Sequence, residues 1–508
     1  MRVLLPLPIV LPLVAAALSI LCGRLRSVQR LLGVGTLVAL VVIALVIAIG
    51  VDRDGPAAVQ AGNWAAPVGI TLVADRLTAI MLLTASIVLL AVLLYAIGQP
   101  GAERNHVGFQ SVYLVLAAGV SAAFLAGDLF NLFVALEMML TASYVLMTLG
   151  GRLDQVRSGM TYVVVSIVAS GLFLFALALT YAAAGTVNLA DLSGRIAELS
   201  PGVQAMLAGL LFVVFGIKAA IVPLYFWLPD SYPTAPTAVT AIFAGLLTKV
   251  GMYAIIRTQT LLFAPSVRPA TLILVIAGLT MAVGVVGAIA QQDIKRILSF
   301  HIIGQIGYMV MGLGLFTVAG LAATVFSFAH HIVVMTTLFL AGGLIEHVGR
   351  SSRLARLGHL VRTAPVVAVA FALPALSLAG IPPFSGFVAK FALFDATARQ
   401  RQWAVLATAI AVSFLTVFSI FKVWVGAFWG EPTEDLQGRS LEEGVLSTAE
   451  TEAVARRRAP WLMVLPTAVL GVAGLVIGLA AAPLYRLSER AAVDLLDTEA
   501  YITAVLDP

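Results

Sequence analysis

The sequence predicts an all-α polytopic membrane protein, and three observations point there: an apolar composition, recurrent apolar windows of membrane-spanning length, and charge gathered between those windows. Of 508 residues, 61% are hydrophobic and 11% charged, with a mean hydropathy of +1.05. That balance excludes an ordinary soluble domain. About twenty apolar residues cross roughly 30 Å of hydrocarbon as a helix. About fourteen such spans are expected, at 4–22, 31–50, 75–97, 107–127, 130–149, 160–184, 204–229, 238–261, 269–290, 296–315, 318–344, 365–397, 403–429 and 460–485.

The N-terminal stretch MRVLLPLPIVLPLVAAALSILCGRLR, which holds the first window, resembles a signal peptide, but no small-x-small cleavage site is well placed, so it reads as an uncleaved span. Lys and Arg concentrate in 23–30, 98–106, 150–159, 291–295, 345–364 and 430–459. Those loops are expected to face the cytoplasm. An even number of spans then puts both termini on the extracytoplasmic side. The segment 431–459, rich in acids and ending near Arg456, Arg457 and Arg458, is expected to be a solvated cytoplasmic loop. The formal charge of +5 is spread over loops and describes topology, with no nucleic-acid partner implied. A single cysteine, Cys22, excludes an internal disulfide, and no Cys/His spacing suggests a metal. No cofactor is expected.

Lysine is distributed unusually. Only five of the thirty Lys plus Arg are lysines, and four of them, Lys218, Lys249, Lys390 and Lys422, fall inside apolar windows. The arginines lie in loops or near span ends. An ammonium at bilayer depth costs roughly 2.5–3.5 kcal/mol even on the lenient insertion scale, which marks these lysines as functional candidates. Arginine stays charged at working pH, whereas burial can bring a lysine to titrate.

Two of the spans should be broken. Pro223 removes the donor that the Ala219 carbonyl would need, and Pro382 and Pro383 precede Lys390 by eight and seven residues. A break survives in a membrane only where it faces protein or water, and broken helices carrying charge build many transporter sites. Lys218 and Lys390 are 172 residues apart, and Lys249 and Lys422 are 173 apart. Two five-span units, spans 4–8 over 107–262 and spans 9–13 over 263–430, explain this spacing. Because five is odd, the units are expected to be inverted repeats with broken helices 7 and 12. Residues 1–106 then hold spans 1–3, and 460–508 hold the last span and a tail.

Glu137 is the carboxylate deep in a window, and an unpaired buried carboxylate would hold its proton. An ion pair with Lys218 is therefore expected. His330 and His331 sit midway between the repeat centres, and imidazole both donates and accepts near neutrality. The expected proton pathway is Glu137, Lys218, Lys249, His330 or His331, and Lys390. His301, Asp395 and Lys422 are secondary candidates, Asp395 as a local counter-charge to Lys390 or an exit-side group.

PLYFWLPDSYPTAPTAVTAIFAGLLTKVG, DIKRILSFHIIGQIGYMVMGLG and GIPPFSGFVAKF resemble the proton-translocating antiporter-like superfamily. GDLFNLFVALEMMLTASYVLM and GTVNLADL resemble the D-type subunits of Mrp-type multi-subunit Na+/H+ antiporters more than complex I subunits. The resemblance implies a fourteen-helix core with two inverted repeats. It also implies functional roles for Glu137, Lys218, Lys249 and Lys390, matching the family's acidic and lysine positions. Met335 departs from it, standing where relatives commonly carry a lysine, which leaves more of the central link to His330 and His331. By this resemblance the chain is a secondary-transport subunit of a prokaryotic plasma membrane, not itself an enzyme, serving pH and sodium homeostasis. Its partners are other membrane subunits, the lipid bilayer, H+ and Na+, with other monovalent cations as further candidates. The alternative is the proton-pumping membrane subunit of a redox complex, an NADH:quinone oxidoreductase or a membrane-bound hydrogenase.

Overall fold

The apolar windows become helices. A computed structural model describes residues 2–100, 108–149, 151, 153–434 and 459–507. The charged loop expected at 431–459 lies outside the described residues except at its ends. The chain begins with α1 (Leu7–Leu21), α2 (Arg26–Asp54), α3 (Arg76–Gly98), α4 (Phe109–Leu125), α5 (Leu129–Thr148) and α6 (Leu153–Ala184). A short α7 (Leu189–Ala197) precedes α8 (Pro201–Ala219) and α9 (Trp227–Ser231). Then α10 (Thr237–Ile242), a π-helical turn at Phe243–Leu247 and α11 (Thr248–Leu261) form one continuous rod.

The second half runs α12 (Ala270–Ala290), α13 (Ile294–Gly314), α14 (Val318–Gly349), α15 (Leu360–Thr363), α16 (Pro365–Ala379), α17 (Ser385–Arg399) and α18 (Trp403–Trp424). A second π-helical turn, Val425–Trp429, continues α18. The chain closes with α19 (Trp461–Leu479), α20 (Ala481–Leu496) and α21 (Glu499–Leu506). Among the described residues twelve helices are long and apolar enough to cross a membrane, while Phe109–Leu125 and Pro365–Ala379 are apolar but shorter. The shorter two fall in the fourth and twelfth expected windows.

Side-chain caps fix several of the starts. Asp75, Asp128, Asp293 and Thr317 each accept a backbone N–H from the first turn of α3, α5, α13 and α14. Each satisfies a donor that a helix start otherwise leaves open. Asp128 lies ahead of its span, and burial pushes its carboxyl above the usual range while backbone donors from Asn131 and Thr71 oppose the shift.

One expectation needs correction. The window 460–485 is not one helix: α19 ends at Leu479, and α20 packs Ser488, Ala491, Ala492 and Leu495 inward. That spacing of three and four residues makes an amphipathic helix, because Arg486, Glu489, Arg490 and Asp494 interrupt the apolar run. Within this helical fold a short hairpin, β1 (Ala57–Gln60) and β2 (Thr71–Ala74), pairs antiparallel between α2 and α3. Arg76 joins α20 to this region through Asp494 at 2.8 Å and Asp52 at 3.1 Å.

Burial orders the helices. The apolar window of Thr237–Leu261 is 100% buried, those of α13 and α14 are 94% and 89%, and those of α6, α12 and Trp403–Trp429 are 39%. The core is therefore the α10–α11 rod with α13 and α14, the helices bearing Lys249, His301, His330 and His331. At Gly251 the α11 backbone meets α8 so closely that a Cβ would stand 2.6 Å from the Ala219 nitrogen. Glycine is required there by contact.

Candidate functional site

α8 ends where the sequence anticipates a break. Ala220 takes φ +60°, and its N–H reaches back to the Gly216 and Ile217 carbonyls, closing the helix two residues after Lys218. The Lys218 side chain is buried and donates to the Ser166 carbonyl and to Ser170 Oγ, both at 3.3 Å, on the neighbouring α6. Ser170 in turn donates to the Glu137 carboxylate from α5. The expected ion pair is thus not direct: the Lys218 nitrogen and the Glu137 carboxylate oxygens do not come within 4.0 Å, and a hydroxyl stands between the two groups. Glu137 and Lys218 remain within electrostatic reach of one another.

Ser170 is not among the residues that the sequence singles out. A signal for it exists, because Tyr162, Ser166 and Ser170 recur every four residues in an apolar helix and so share one face. Tyr162 continues the polar line to Ser143 on α5 at 2.9 Å.

The second break is built from the other side. α16 ends at Ala379, Gly380 takes φ +81°, and Lys390 lies on the half-helix that follows. Its ammonium turns back to the end of α16, donating to the Leu378 and Ala379 carbonyls at 3.0 and 3.1 Å and to Ser413 Oγ at 3.1 Å. The Tyr308 ring lies 5.6 Å away. Terminal helix carbonyls have no intrahelical partner and carry the negative end of the dipole, so they suit a cation. Asp395 does not serve Lys390: it pairs with Arg399 at 2.8 Å on an exposed surface.

Between the breaks, Lys249 is fully buried and donates to the Ala244 carbonyl in the π-helical turn and to Thr248 Oγ1. His330 Nδ1 lies 2.8 Å from Ser385 Oγ, which lies 3.0 Å from Ser377 Oγ, so the imidazole is tied to both halves of the second broken helix. His331 is buried with neither ring nitrogen hydrogen-bonded, yet Lys249, His330 and His301 are all within electrostatic reach. His301 meets Ser419 Oγ at 2.9 Å, and both it and His330 are reached by Lys390. Lys218 and Lys249 are bonded to different partners and share none, although their helices touch at Gly251. Lys422 caps the end of α12, donating to the Ile289 and Gln291 carbonyls at 2.9 and 2.6 Å, away from this line.

One arginine near a span end is buried, which the sequence does not single out. Arg257 is buried inside the last turns of α11, paired with Asp75 at 2.7 Å and 5.0 Å from the Tyr501 ring. Its pairing explains how a permanent charge is tolerated there.

Comparison with known proteins agrees with this architecture. A family profile described as NADH:quinone oxidoreductase/Mrp antiporter, TM, matches residues 126–419. The D-type subunit of the Na+/H+ antiporter of Alkalihalophilus pseudofirmus is 42% identical over 98% of this chain and 98% of that protein. A chain in the structure of the Mrp complex from Dietzia sp. DQ12-45-1b superposes with a TM-score of 0.89 at 35% identity, each chain covered over 100%. A chain of respiratory complex I from Thermus thermophilus gives 0.75 at 23% identity, covering 95% of this chain and 99% of that one, which shows the fold alone.

Proposed function

Since the chain belongs to the NADH:quinone oxidoreductase/Mrp antiporter membrane family, among the D-type subunits of Mrp-type Na+/H+ antiporters, we propose that it is the proton-conducting subunit of a cation/proton antiporter. It works in the plasma membrane within a hetero-oligomeric complex and exchanges cytoplasmic Na+ for external H+ at the expense of the proton-motive force. The proton route links Glu137, Lys218, Lys249, His331 and His330, and Lys390. His301 supports the central step, and Lys422 holds a helix end.

What supports this reading is that ionisable groups on α5, α8, α11, α14 and α17 are each within electrostatic reach of the next, except at Lys218 and Lys249. A charge change at one site alters the next only by the difference in interaction between its two states. The Lys218–Lys249 gap is where a water file would complete the route, passing beside the close α8–α11 contact at Gly251 and not through it. We further propose that 107–262 and 263–430 are the two inverted units, flanked by 1–106 and 460–508. In that arrangement 431–459 is cytoplasmic and both termini are extracytoplasmic.

The test uses inverted vesicles carrying the whole complex, an imposed pH gradient and a fluorescent pH probe. Dissipation on adding Na+, dependent on this chain and without respiratory substrate, is the expected result. Silence toward Na+ together with proton uptake driven by NADH would instead assign the chain to a redox pump.

A further inference from the structure

The Glu137–Lys218 contact is organised by a third residue whose chemistry differs from that of a bare ion pair. Ser170 Oγ accepts from the Lys218 ammonium at 3.3 Å and donates to a Glu137 oxygen. A serine hydroxyl has one proton to give and two lone pairs to accept with, so both roles are filled at once. Lys218 is buried, as is Ser170, so this hydroxyl makes the hydrogen-bonded connection between the two charged groups. Ser166 holds the lysine only through its backbone carbonyl, which cannot carry a proton onward.

We propose that Ser170 is the proton carrier between Lys218 and Glu137, a deepening that rests on the relay described above. In the step, an N–H bond of the Lys218 ammonium breaks as its proton binds Ser170 Oγ. The serine O–H bond breaks as that proton binds the Glu137 carboxylate. The products are a neutral amine, an unchanged hydroxyl and a carboxylic acid; no electrons are exchanged and total charge is conserved. The pair therefore neutralises without the side chains closing on one another, and rotation of the hydroxyl resets the link.

The test compares Ser170→Ala, Ser170→Thr and Lys218→Ala in the intact complex, in inverted vesicles matched for assembled complex. Ser170→Ala is expected to slow Na+-driven dissipation by about a hundredfold, the low end of what a positioned proton-transfer group contributes. Ser170→Thr keeps the hydroxyl and is expected to retain most of the rate with an unchanged KM for Na+. A packing role would invert that order, because threonine adds a methyl to a filled site. Slower exchange in Ser170→Thr than in Ser170→Ala would overturn the proposal. So would full activity in Ser170→Ala beside an inactive Lys218→Ala, which leaves the relay standing without this link. Full activity in Lys218→Ala would remove the relay reading itself, and the serine step with it.

Discussion

Two helices are interrupted beside a buried lysine, yet the two ammonium groups are held by different means. Lys218 precedes its break and reaches sideways to α6, where Ser170 connects it to a carboxylate. Lys390 follows its break and folds back on the carbonyls that the break itself exposes, with Ser413 as a third acceptor. One lysine depends on a neighbouring helix and an ionisable partner, the other on the end of its own broken helix. The first site can answer a protonation change at its partner; the second presents fixed dipoles whose strength does not titrate. The contrast extends to the backbone turns, with alanine at φ +60° in one and glycine at φ +81° in the other.

Substitutions sharpen this comparison in a definite order. Lys218→Ala is expected to bring exchange to the leak of vesicles lacking the complex while assembly, followed by co-purification, is unchanged. Glu137→Gln keeps the shape, removes the charge and is expected to cost about a hundredfold in the same assay. At the other break, Ser413→Ala removes one of three bonds to a charged group, worth about 1.5 kcal/mol, and should slow exchange by about tenfold. If Ser413→Ala proved as damaging as Glu137→Gln, the carbonyls of α16 would not be the main support of Lys390.

The turns give the smallest effects, read as melting of the purified complex. Gly380→Ala would set a Cβ 2.8 Å from Lys390 Cδ at a positive φ, and should destabilise by about 1–2 kcal/mol. Ala220→Gly relieves the same conformational penalty and should leave stability within about 1 kcal/mol of the parent. Equal losses for both would show that the two turns are alike after all.

Much of the fold was legible because a membrane span writes itself as a long apolar run, and a proline inside one announces a lost hydrogen bond. The lysines stood out for the same reason, as charges where charge is costly. What was hidden depended on contacts between helices. Ser170 is a small polar residue that resembles many others until α5 and α8 are placed on either side of α6. Arg257 looked peripheral because its partner Asp75 lies 182 residues away. Asp395 is not the counter-charge that its place five residues after Lys390 suggests, because on α17 the side chain four residues on, Arg399, takes it. The break after Leu479 was obscured because α20 remains apolar on one face.

The central claim is that both broken helices belong to one route in series. Its most direct test measures Na+-driven dissipation of a pH gradient in inverted vesicles for Lys218→Ala, Lys390→Ala and the double variant, at matched amounts of assembled complex. A series route requires each single substitution to abolish exchange as fully as the double, a strongly non-additive outcome. Substantial exchange in either single variant, lost only in the double, would mean two parallel routes and contradict the account.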